Sequence, residues 1–482
     1  MRNKTIIAIS AILSIGAFFI LPVYDDFYYL SSPHKMMDVE SFLPNGSFWC
    51  PIDALWGIMM GKYVDAFPFL NHLLVLICFA YSSFGLIKIL NYSNVKGYTK
   101  SIAIAIFMLS PALVATTYSI DSINQALCLA FGISSLLLYK HHKFWTYVFI
   151  TLSLFSKESG IAWFAVTPLL SLVIEKCHNN KDYINKKDYT SLIKPYCISI
   201  VIILIYACIR IYLNAPSDII ENGYSRYTPQ LGLNCITSLC MIVGSAISVI
   251  DTIALFIEHN YIIVFTTVLI SVIFIFIIIK NTVKKENLRI FIPLVLSIIA
   301  ITSPHLIMEH PGEMHVYPSL WIIALSIGIL TKEANWGKRE LALIALTFLC
   351  GIFVFIHKGY YIYKNGRIAN ERVSSAVSQS KNIPNKVCIL DCDNQIPIYS
   401  VFQTNGRNCW DSGKGTRLYF DLENPQIVSY HIIKIEDLKR HLHIYTHKDS
   451  TYNAIWIVKD NHVRVISIKT YSGKTHTRKQ RR

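Results

Sequence analysis

Two adjacent aspartates, Asp25 and Asp26, follow the first apolar run of the chain, in the segment PVYDDFYY. Neighbouring carboxylates at a membrane boundary repel each other and are costly to remove from water. They suit a site in which a hydroxyl group, a metal or a cation shares their charge, and one of them could act as general base on an acceptor hydroxyl. Residue physics alone slightly favours the alternative, an ordinary polar helix end in the headgroup layer.

A second polar segment, SKESG, separates two apolar runs and contains Lys157 and Glu158. The preceding run, 144–156, is short for a membrane span, so we expect both side chains to lie below the outer surface, within the protein. An ammonium group in that place could hold a lipid-linked phosphate as a point charge. An equally suitable interpretation is a Lys–Glu ion pair that closes a tight turn.

Two further polar segments are predicted to lie on the same side of the membrane. Asp121 stands in the short turn YSIDSINQ, where a lone aspartate is commonly only a helix cap. The loop HLIMEHPGEMHVYPS brings several ionisable groups together, among them Glu313, His315 and Tyr317. Its histidines and glutamates could suggest a metal, but the spacing is not that of a metal-binding helix. A polar ring around a substrate pocket is favoured over a metal site, and a plain surface loop is the alternative.

Composition indicates which elements must position these residues. The 482-residue chain is 53% hydrophobic and 16% charged, whereas soluble domains carry about 25% charged residues. Apolar runs long enough to cross a bilayer recur along the chain. The fold class is therefore an all-α polytopic membrane domain. The predicted runs are 5–24, 69–90, 101–118, 122–139, 144–156, 160–176, 195–213, 234–257, 261–280, 290–304, 318–331 and 341–357.

Lysine and arginine in the short loops predict the orientation of these runs. Every basic loop lies inside on the condition that run 234–257 does not cross but lies on the outer face or re-enters from it. The prediction is then about 11 transmembrane helices, with the N-terminus inside and the C-terminus outside. Domain 1–357 would carry outer loops at 25–68, 214–260 and 305–317.

The remaining segment, 358–482, differs in character from the first domain. It holds 21 Lys+Arg and 10 Asp+Glu, so it carries most of the formal net charge of +15. Residues 367–379 are predicted to form a helix, 387–391 a strand, and 453–458 with 463–468 a hairpin. We expect a small basic α/β domain on the outer face, where its charge favours an anionic membrane or glycan rather than nucleic acid.

The order of these motifs resembles the GT-C superfamily of integral membrane glycosyltransferases, which includes protein O-mannosyltransferases and bacterial lipid-linked sugar transferases. The shared order is a first helix, an acidic pair, a long outer loop, SKESG and a late outer loop with GEMHVYPS. Residues 67–90 are similar to the second helix of that family, through Pro68, Asn71 and His72. Met314 stands where the family pattern has arginine. The resemblance covers about residues 1–357.

The resemblance implies transfer of a sugar from a polyprenyl-phosphate carrier to an acceptor hydroxyl on the outer face, with inversion. It implies Asp25 or Asp26 as base, and a divalent metal near Asp26 and Asp121. Lys157 would hold the carrier phosphate, and the remaining substrate-binding residues would be Asp121, Glu158, Glu313, His315 and Tyr317. The acceptor would be a glycan, a lipid or a protein, and the membrane the bacterial inner membrane.

The same residues bear on alternative functions. The chain has no nucleotide-binding glycine motif, which agrees with a donor that is not a nucleotide sugar and with no nucleotide cofactor. A transporter or flippase of lipid-linked glycans should carry ionisable groups in mid-helix and often repeats, and neither is evident. A glycan polymerase or ligase is a nearer alternative, but the 305–317 loop contains no arginine.

Overall fold

The computed structural model describes residues 3–21, 26, 42–43, 49–55, 70–179, 186–213, 230–248, 253, 288–308, 311–379, 386–392, 426–431, 454–459 and 462–467, and single positions between 261 and 272. Within them the chain is mostly helical. It divides into two compact units. The first comprises Met1–Ile20, Lys35–Tyr363 and Ile398–Gln403, and the second comprises Leu21–His34, Lys364–Pro397 and Thr404–Arg482.

The helices follow the apolar runs of the sequence. In chain order they are α1 (Asn3–Ile15), α2 (Leu70–Tyr92), α3 (Gly97–Met108), α4 (Val114–Thr117), α5 (Ile123–Leu138), α6 (Lys143–Ser156), α7 (Trp163–His178), α8 (Lys186–Thr190), α9 (Ile193–Leu213), α10 (Leu233–Ile247), α11 (Leu288–Leu306), α12 (Val316–Leu330) and α13 (Lys338–Gln379). Single 3₁₀ turns at Gly16–Phe19, Pro111–Leu113, Glu158–Ala162 and Glu313–His315 precede or extend them.

Six helical segments in the described part of the chain are long and apolar enough to cross a membrane. They are His72–Tyr92, Gly97–Thr117, Glu158–His178, Lys187–Leu213, Glu313–Leu330 and Lys338–Ile368. Four shorter apolar helices accompany them, at Asn3–Phe19, Ile123–Leu138, Leu233–Ile247 and Ile290–Leu306. The prediction of a helical membrane protein is confirmed, whereas the exact number of spans remains a prediction. Run 261–280 lies almost entirely outside the described residues.

The core of the first unit is built around α5 and α12. Helix α5 packs against α2 and α6, while α12 packs against α3, α10 and α11. The Trp163 ring lies against Gly132, where a Cβ atom would approach the ring to 2.0 Å. The Trp321 indole donates a hydrogen bond to the carbonyl of Ser82 at 2.9 Å. By contrast, α9 and α13 are largely unburied along their apolar lengths, as expected for helices that face lipid.

Helix connections gather at the two ends of this bundle. At one end, the Thr99 hydroxyl donates to the carbonyl of Thr331 at 2.9 Å, and the Tyr92 ring stacks on His178 at 4.0 Å. The turns at this end are rich in lysine, and we call it the basic end. Its basic residues include Lys4, Lys96, Lys100, Lys140, Lys143, Lys332, Lys338 and Arg339.

The opposite end is formed by the end of α1, the start of α2, residues 109–122, the 3₁₀ turn Glu158–Ala162 and the 3₁₀ turn Glu313–His315. The Tyr118 hydroxyl donates to the carbonyl of Leu13 at 2.6 Å, and His72 contacts the carbonyl of Ile20 at 3.3 Å. We call this the acidic end, because Asp121, Glu158 and Glu313 lie there. The described helices run between these two ends, and the side of the membrane that each end faces stays a prediction.

The second unit contains a four-stranded sheet of order β2-β1-β3-β4. The strands are β1 (Lys386–Asp391), β2 (Gln426–His431), β3 (Ala454–Lys459) and β4 (His462–Ser467). Strand β1 pairs in parallel with β2 and β3, and β3 pairs with β4 as a hairpin. The strand at 387–391 and the hairpin near 453–468 are therefore confirmed as elements.

Helix α13 does not end where the sequence suggested a change of domain. It runs unbroken from Lys338 to Gln379, so the helix predicted at 367–379 is its last part. Residues up to Tyr363 belong to the first unit. Lys358, which the sequence placed at the start of a soluble domain, therefore lies in mid-helix within the apolar bundle.

Candidate active site

Asp53 was not among the residues that the sequence singled out, yet it lies in the centre of a charged cluster. Residues 51–55 form a helical turn, and the Oδ1 atom of Asp53 is shielded from solvent. Burial raises the pKa of Asp53 to about 8, with Asp121 and Glu158 acting in the same direction and Lys157 and an Asn124 hydrogen bond opposing them. At neutral pH the carboxyl group therefore holds a proton that it can exchange.

Lys157 and Glu158 lie in the joint between α6 and α7. Helix α6 has 14 residues, which is about 21 Å and shorter than the hydrocarbon layer of roughly 30 Å. The joint is tight because Gly160 lies against the backbone of Ser153, where a Cβ atom would approach the carbonyl oxygen to 2.4 Å. Lys157 itself has extended backbone. Lys157 is only partly buried, and its depth relative to the membrane surface stays a prediction.

The segment before Asp53 is tied to this joint by Trp49. Its backbone N–H donates a hydrogen bond to the Glu158 carboxylate at 2.7 Å. The Trp49 ring stacks on Tyr206 at 5.0 Å and contacts Phe155 at 5.3 Å. These contacts bring residues 49–53 to Lys157 and Glu158 although more than a hundred positions separate them in the sequence.

Two neighbours of this cluster bear on its chemistry. Burial, followed by the nearby Glu158 charge, raises the pKa of the Cys50 thiol, so Cys50 stays protonated and is unsuited to act as a nucleophile. Arg210 donates a hydrogen bond to the Tyr206 hydroxyl at 3.2 Å. It is a second cation, held next to the ring that stacks on Trp49.

Asp121 stands in the turn that leads into α5, as predicted, and its charge acts on Asp53. Gln125 follows one helical turn later and is fully buried. Both polar atoms of the Gln125 amide lack a hydrogen-bond partner among the residues that the structure describes. A buried amide of this kind is costly unless a ligand or a water molecule satisfies it.

Glu313 takes part in a buried ion pair with Lys358. The Lys358 ammonium donates to both carboxylate oxygens of Glu313 at 2.7 Å, and each side chain is only 1% exposed. Either charge alone would be strongly destabilising in this buried place, because no opposite charge would compensate it. The two side chains therefore stabilise each other. The part of Glu313 in substrate binding stays a prediction, while Lys358 is a partner that the sequence did not indicate.

His315 and Tyr317 follow Glu313 in the chain, and both side chains are buried. His315 stacks on His305 with ring centroids 4.2 Å apart and accepts a hydrogen bond from the Gly312 N–H at 2.9 Å. Tyr317 is 1% exposed and packs against Phe107. For His315 and Tyr317 the alternative of a plain surface loop is wrong, because both side chains are buried.

The predicted acidic pair is described only in part. Asp26 is buried, with 1% exposure, and belongs to the second unit. Asp25 lies outside the described residues. Their assignment as catalytic base is therefore untested.

The predicted metal near Asp26 and Asp121 is untested as well. Among the residues that the structure describes, no group of three or more His, Cys, Asp or Glu side chains is arranged to hold a metal ion. Asp121 belongs to the first unit and Asp26 to the second, so the metal stays a prediction.

Comparisons of the chain with protein-family models, with curated proteins and with solved structures find no match. The likeness to GT-C glycosyltransferases therefore depends on the motifs in the sequence alone.

Proposed function

We propose that the chain is an integral membrane glycosyltransferase of GT-C type, which transfers a sugar from a polyprenyl-phosphate donor to an acceptor hydroxyl on the outer face. The observation that supports this proposal is the cluster of Asp53, Asp121, Lys157 and Glu158 at the acidic end of an apolar bundle. A lipid-anchored donor has its phosphate at the level of the membrane surface, where such a cluster could reach it.

The proposed reaction requires one positioned base and one positioned cation. The bond between the sugar C1 and the phosphate oxygen breaks, and polyprenyl phosphate leaves with both bonding electrons. The acceptor oxygen attacks C1 from the opposite face, and its proton passes to a carboxylate. Because phosphate is already a good leaving group, positioning and deprotonating the acceptor are the main tasks.

The residues of the cluster suit these tasks. Lys157 would hold the leaving phosphate as a point charge, with Arg210 as a second cation from α9. Asp53 would take the acceptor proton, since a carboxyl group with a raised affinity for protons is the stronger base. Asp121 and Glu158 would orient the sugar. Asp25 or Asp26 remains the base that the family resemblance implies.

The proposal includes an orientation and a division of the chain. The basic end would face the cytoplasm and the acidic end the periplasm, with about 11 spans. The sheet-bearing segment would be a basic α/β domain on the outer face of the bacterial inner membrane. A glycan, a lipid or a protein would serve as acceptor, and Glu313, His315 and Tyr317 would line the acceptor side.

The proposal is tested by mass spectrometry of lipid-linked sugars and surface glycans in the source cells. A deletion strain should lose one sugar from a surface glycan and accumulate its polyprenyl-phosphate form. Complementation with Lys157→Gln or Asp53→Asn should fail, while Glu333→Gln, an exposed carboxylate change at the basic end, should restore the wild-type profile. Unchanged glycans in the deletion strain would overturn the proposal.

The same strains separate the two candidate bases. If Asp53→Asn complements and the Asp25→Asn/Asp26→Asn double variant does not, the acidic pair is the base and Asp53 has a positioning role. If the double variant complements and Asp53→Asn does not, the assignment to Asp53 is supported. Immunoblots of the membrane fraction must show equal protein levels.

A second candidate function is supported by the buried ion pair of Glu313 and Lys358. Buried, paired ionisable side chains within membrane helices are typical of transport pathways, and Glu313 and Lys358 form such a pair at the acidic end of the bundle. The second candidate is a transporter or flippase of lipid-linked glycans. Purified protein in detergent separates the two, because a transferase releases polyprenyl phosphate from a lipid-linked sugar in micelles, whereas a flippase yields no chemical product there.

A further inference from the structure

A cavity of about 450 Å³ opens at the basic end, away from the acidic cluster. It lies between the end of α2, the turn from α5 to α6, and the last part of α7. Its wall is apolar in part, through Ile89, Leu136, Leu137 and Ile174, and it is lined by three lysines, Lys88, Lys140 and Lys143. The proposed sugar transfer uses none of these residues.

The charge of the cavity is positive and only partly compensated. Glu175 is the one carboxylate among its lining residues, and its distance to the Lys140 ammonium is 3.6 Å, with both side chains about half exposed. An exposed pair of this kind is weak. Lys143 lies over the face of the Tyr139 ring at 3.2 Å from its centre. Lys88 has no hydrogen bond or ion pair with any residue in the described part of the chain.

The surface that leads to the cavity favours a lipid over a soluble anion. Ile77, Tyr81, Phe84 and Lys88 follow one another at helical spacing along one face of α2, and the three apolar side chains are between 37% and 58% exposed. From residue 77 to residue 88 this stripe covers about 16 Å, which is close to half of the hydrocarbon thickness. An acyl chain along the stripe would bring its headgroup to Lys88.

From this arrangement we infer that the cavity binds the phosphate headgroup of an anionic phospholipid of the adjoining leaflet. Ammonium groups supply the hydrogen bonds and charge that a phosphate requires, and the apolar wall accommodates the glycerol and the upper acyl chains. Basic pockets between membrane helices bind anionic headgroups in this manner. By the loop charges the basic end faces the cytoplasm, where anionic lipids attract such pockets.

The test uses the purified full-length chain in detergent and native mass spectrometry with added lipid. Phosphatidylglycerol should bind with at least about tenfold higher affinity than phosphatidylcholine, because each ammonium near a membrane surface contributes on the order of a fivefold gain. The triple variant Lys88→Gln/Lys140→Gln/Lys143→Gln should lose this preference. The matched variant Lys96→Gln/Lys100→Gln/Lys338→Gln, which removes the same charge at the same end outside the cavity, should keep it.

Three outcomes would overturn the inference. The cavity variant could keep the preference, or the matched variant could lose it equally, which would reveal a general charge effect. Alternatively, millimolar glycerol 3-phosphate could displace the lipid completely, in which case the site takes a soluble anion. A variant with arginine at the three positions retains the charge and should bind as the wild type does, which guards against misfolding as the cause of loss.

Discussion

The raised pKa of Asp53 results from the residues that surround it. The Oδ1 atom of its carboxyl group is shielded from water and two other carboxylates lie nearby, and both effects disfavour its ionised form. One ammonium group, Lys157, opposes them only in part. An arrangement that keeps a carboxyl group protonated near neutral pH is costly for folding, and such arrangements are concentrated at functional sites.

We expect the transfer rate to follow the ionisation of Asp53. Because the base must be ionised, kcat/KM should rise with pH through about 8 and level off above it. Asp53→Asn should lower kcat/KM by about 10²–10⁴-fold, the range of general base catalysis. The measurement is release of polyprenyl phosphate from a lipid-linked sugar by purified protein between pH 6 and 9.5.

Other ionisable groups face Asp53 and have to be separated from it. They are Asp121, Lys157, Glu158 and Cys50. The residual activity of Asp53→Asn should show no inflection near pH 8, whereas Cys50→Ser should retain it. An unchanged inflection in Asp53→Asn would show that another group titrates.

At the scale of elements, the joint between α6 and α7 fixes Lys157. The chain leaves α6 at Ser156, passes through one extended residue and enters a 3₁₀ turn. This path brings Gly160 so close to the carbonyl group of Ser153 that no side chain fits between them. Glycine is needed here for space rather than for backbone conformation.

Gly160→Ala should therefore act on donor binding through Lys157. The added Cβ atom meets backbone atoms of Ser153 and Leu154 that cannot move aside cheaply, so the joint must shift. A displacement of about 1 Å at a reacting group can lower the rate about a hundredfold, and we expect KM for the lipid-linked sugar to rise at least about tenfold. Steady-state kinetics with the lipid-linked sugar as varied substrate measures this.

Gly337→Ala is the matched control for this substitution. Its Cβ atom would meet only the flexible end of Glu340, at 3.3 Å, so the kinetics should stay within twofold of wild type, roughly the effect of an ordinary surface substitution. If Gly160→Ala behaved like this control, the tight joint would not be what positions Lys157.

The ion pair between the segment before α12 and helix α13 joins two elements through charge. Lys358→Met should lower the free energy of unfolding by about 3–5 kcal/mol, because it leaves a buried carboxylate without its partner. Glu313→Gln/Lys358→Met should recover most of this loss, since no buried charge then remains. Denaturation in mixed micelles, followed by circular dichroism, gives the four stabilities of the cycle, and additive single effects would argue against a direct interaction.

Across the whole molecule, the sequence was informative wherever local pattern decides structure. Apolar runs predicted the helices, and charged loops predicted that Asp121 and Lys157 lie at the same end. Asp53 was not predicted from the sequence, because its position depends on the contacts of Trp49 with Phe155 and Tyr206. These contacts join segments that are distant in the sequence. The signal that could have found it is the acidic residue between two tryptophans in WCPIDALW.

The buried ion pair of Lys358 was not predicted for a related reason. A lysine after an apolar run is ordinarily the end of a membrane helix, and only the packing of Glu313 against it shows that α13 continues through the charge. A local pattern of hydropathy cannot report a charge that is neutralised by a residue 45 positions away. Three of the four strands described in the second unit were predicted, because alternation and turn residues mark them within a few positions. Strand β2 (Gln426–His431) was not predicted.

The sidedness of the molecule gives the last prediction. Helix α11 ends at the acidic end, where His305 stacks on His315, and its 19 residues span about 28 Å. Its first residue, Leu288, must then lie toward the basic end. The loop at 280–287 should consequently share the side of the α12–α13 connection, whatever path residues 249–287 follow.

Reporters inserted into the full-length chain measure this sidedness. A fluorescent protein that folds only in the cytoplasm should be active at positions 182, 285 and 334, and an exported phosphatase should be active at position 224 and after residue 482. The positive loops supply the physical reason, since lysine and arginine in short loops are retained inside. An active phosphatase at 285 combined with a fluorescent 334 would mean that α11 does not connect the two ends, whereas an active phosphatase at 334 combined with a fluorescent 182 would place Glu313 away from the side on which Lys157 is proposed to bind the donor.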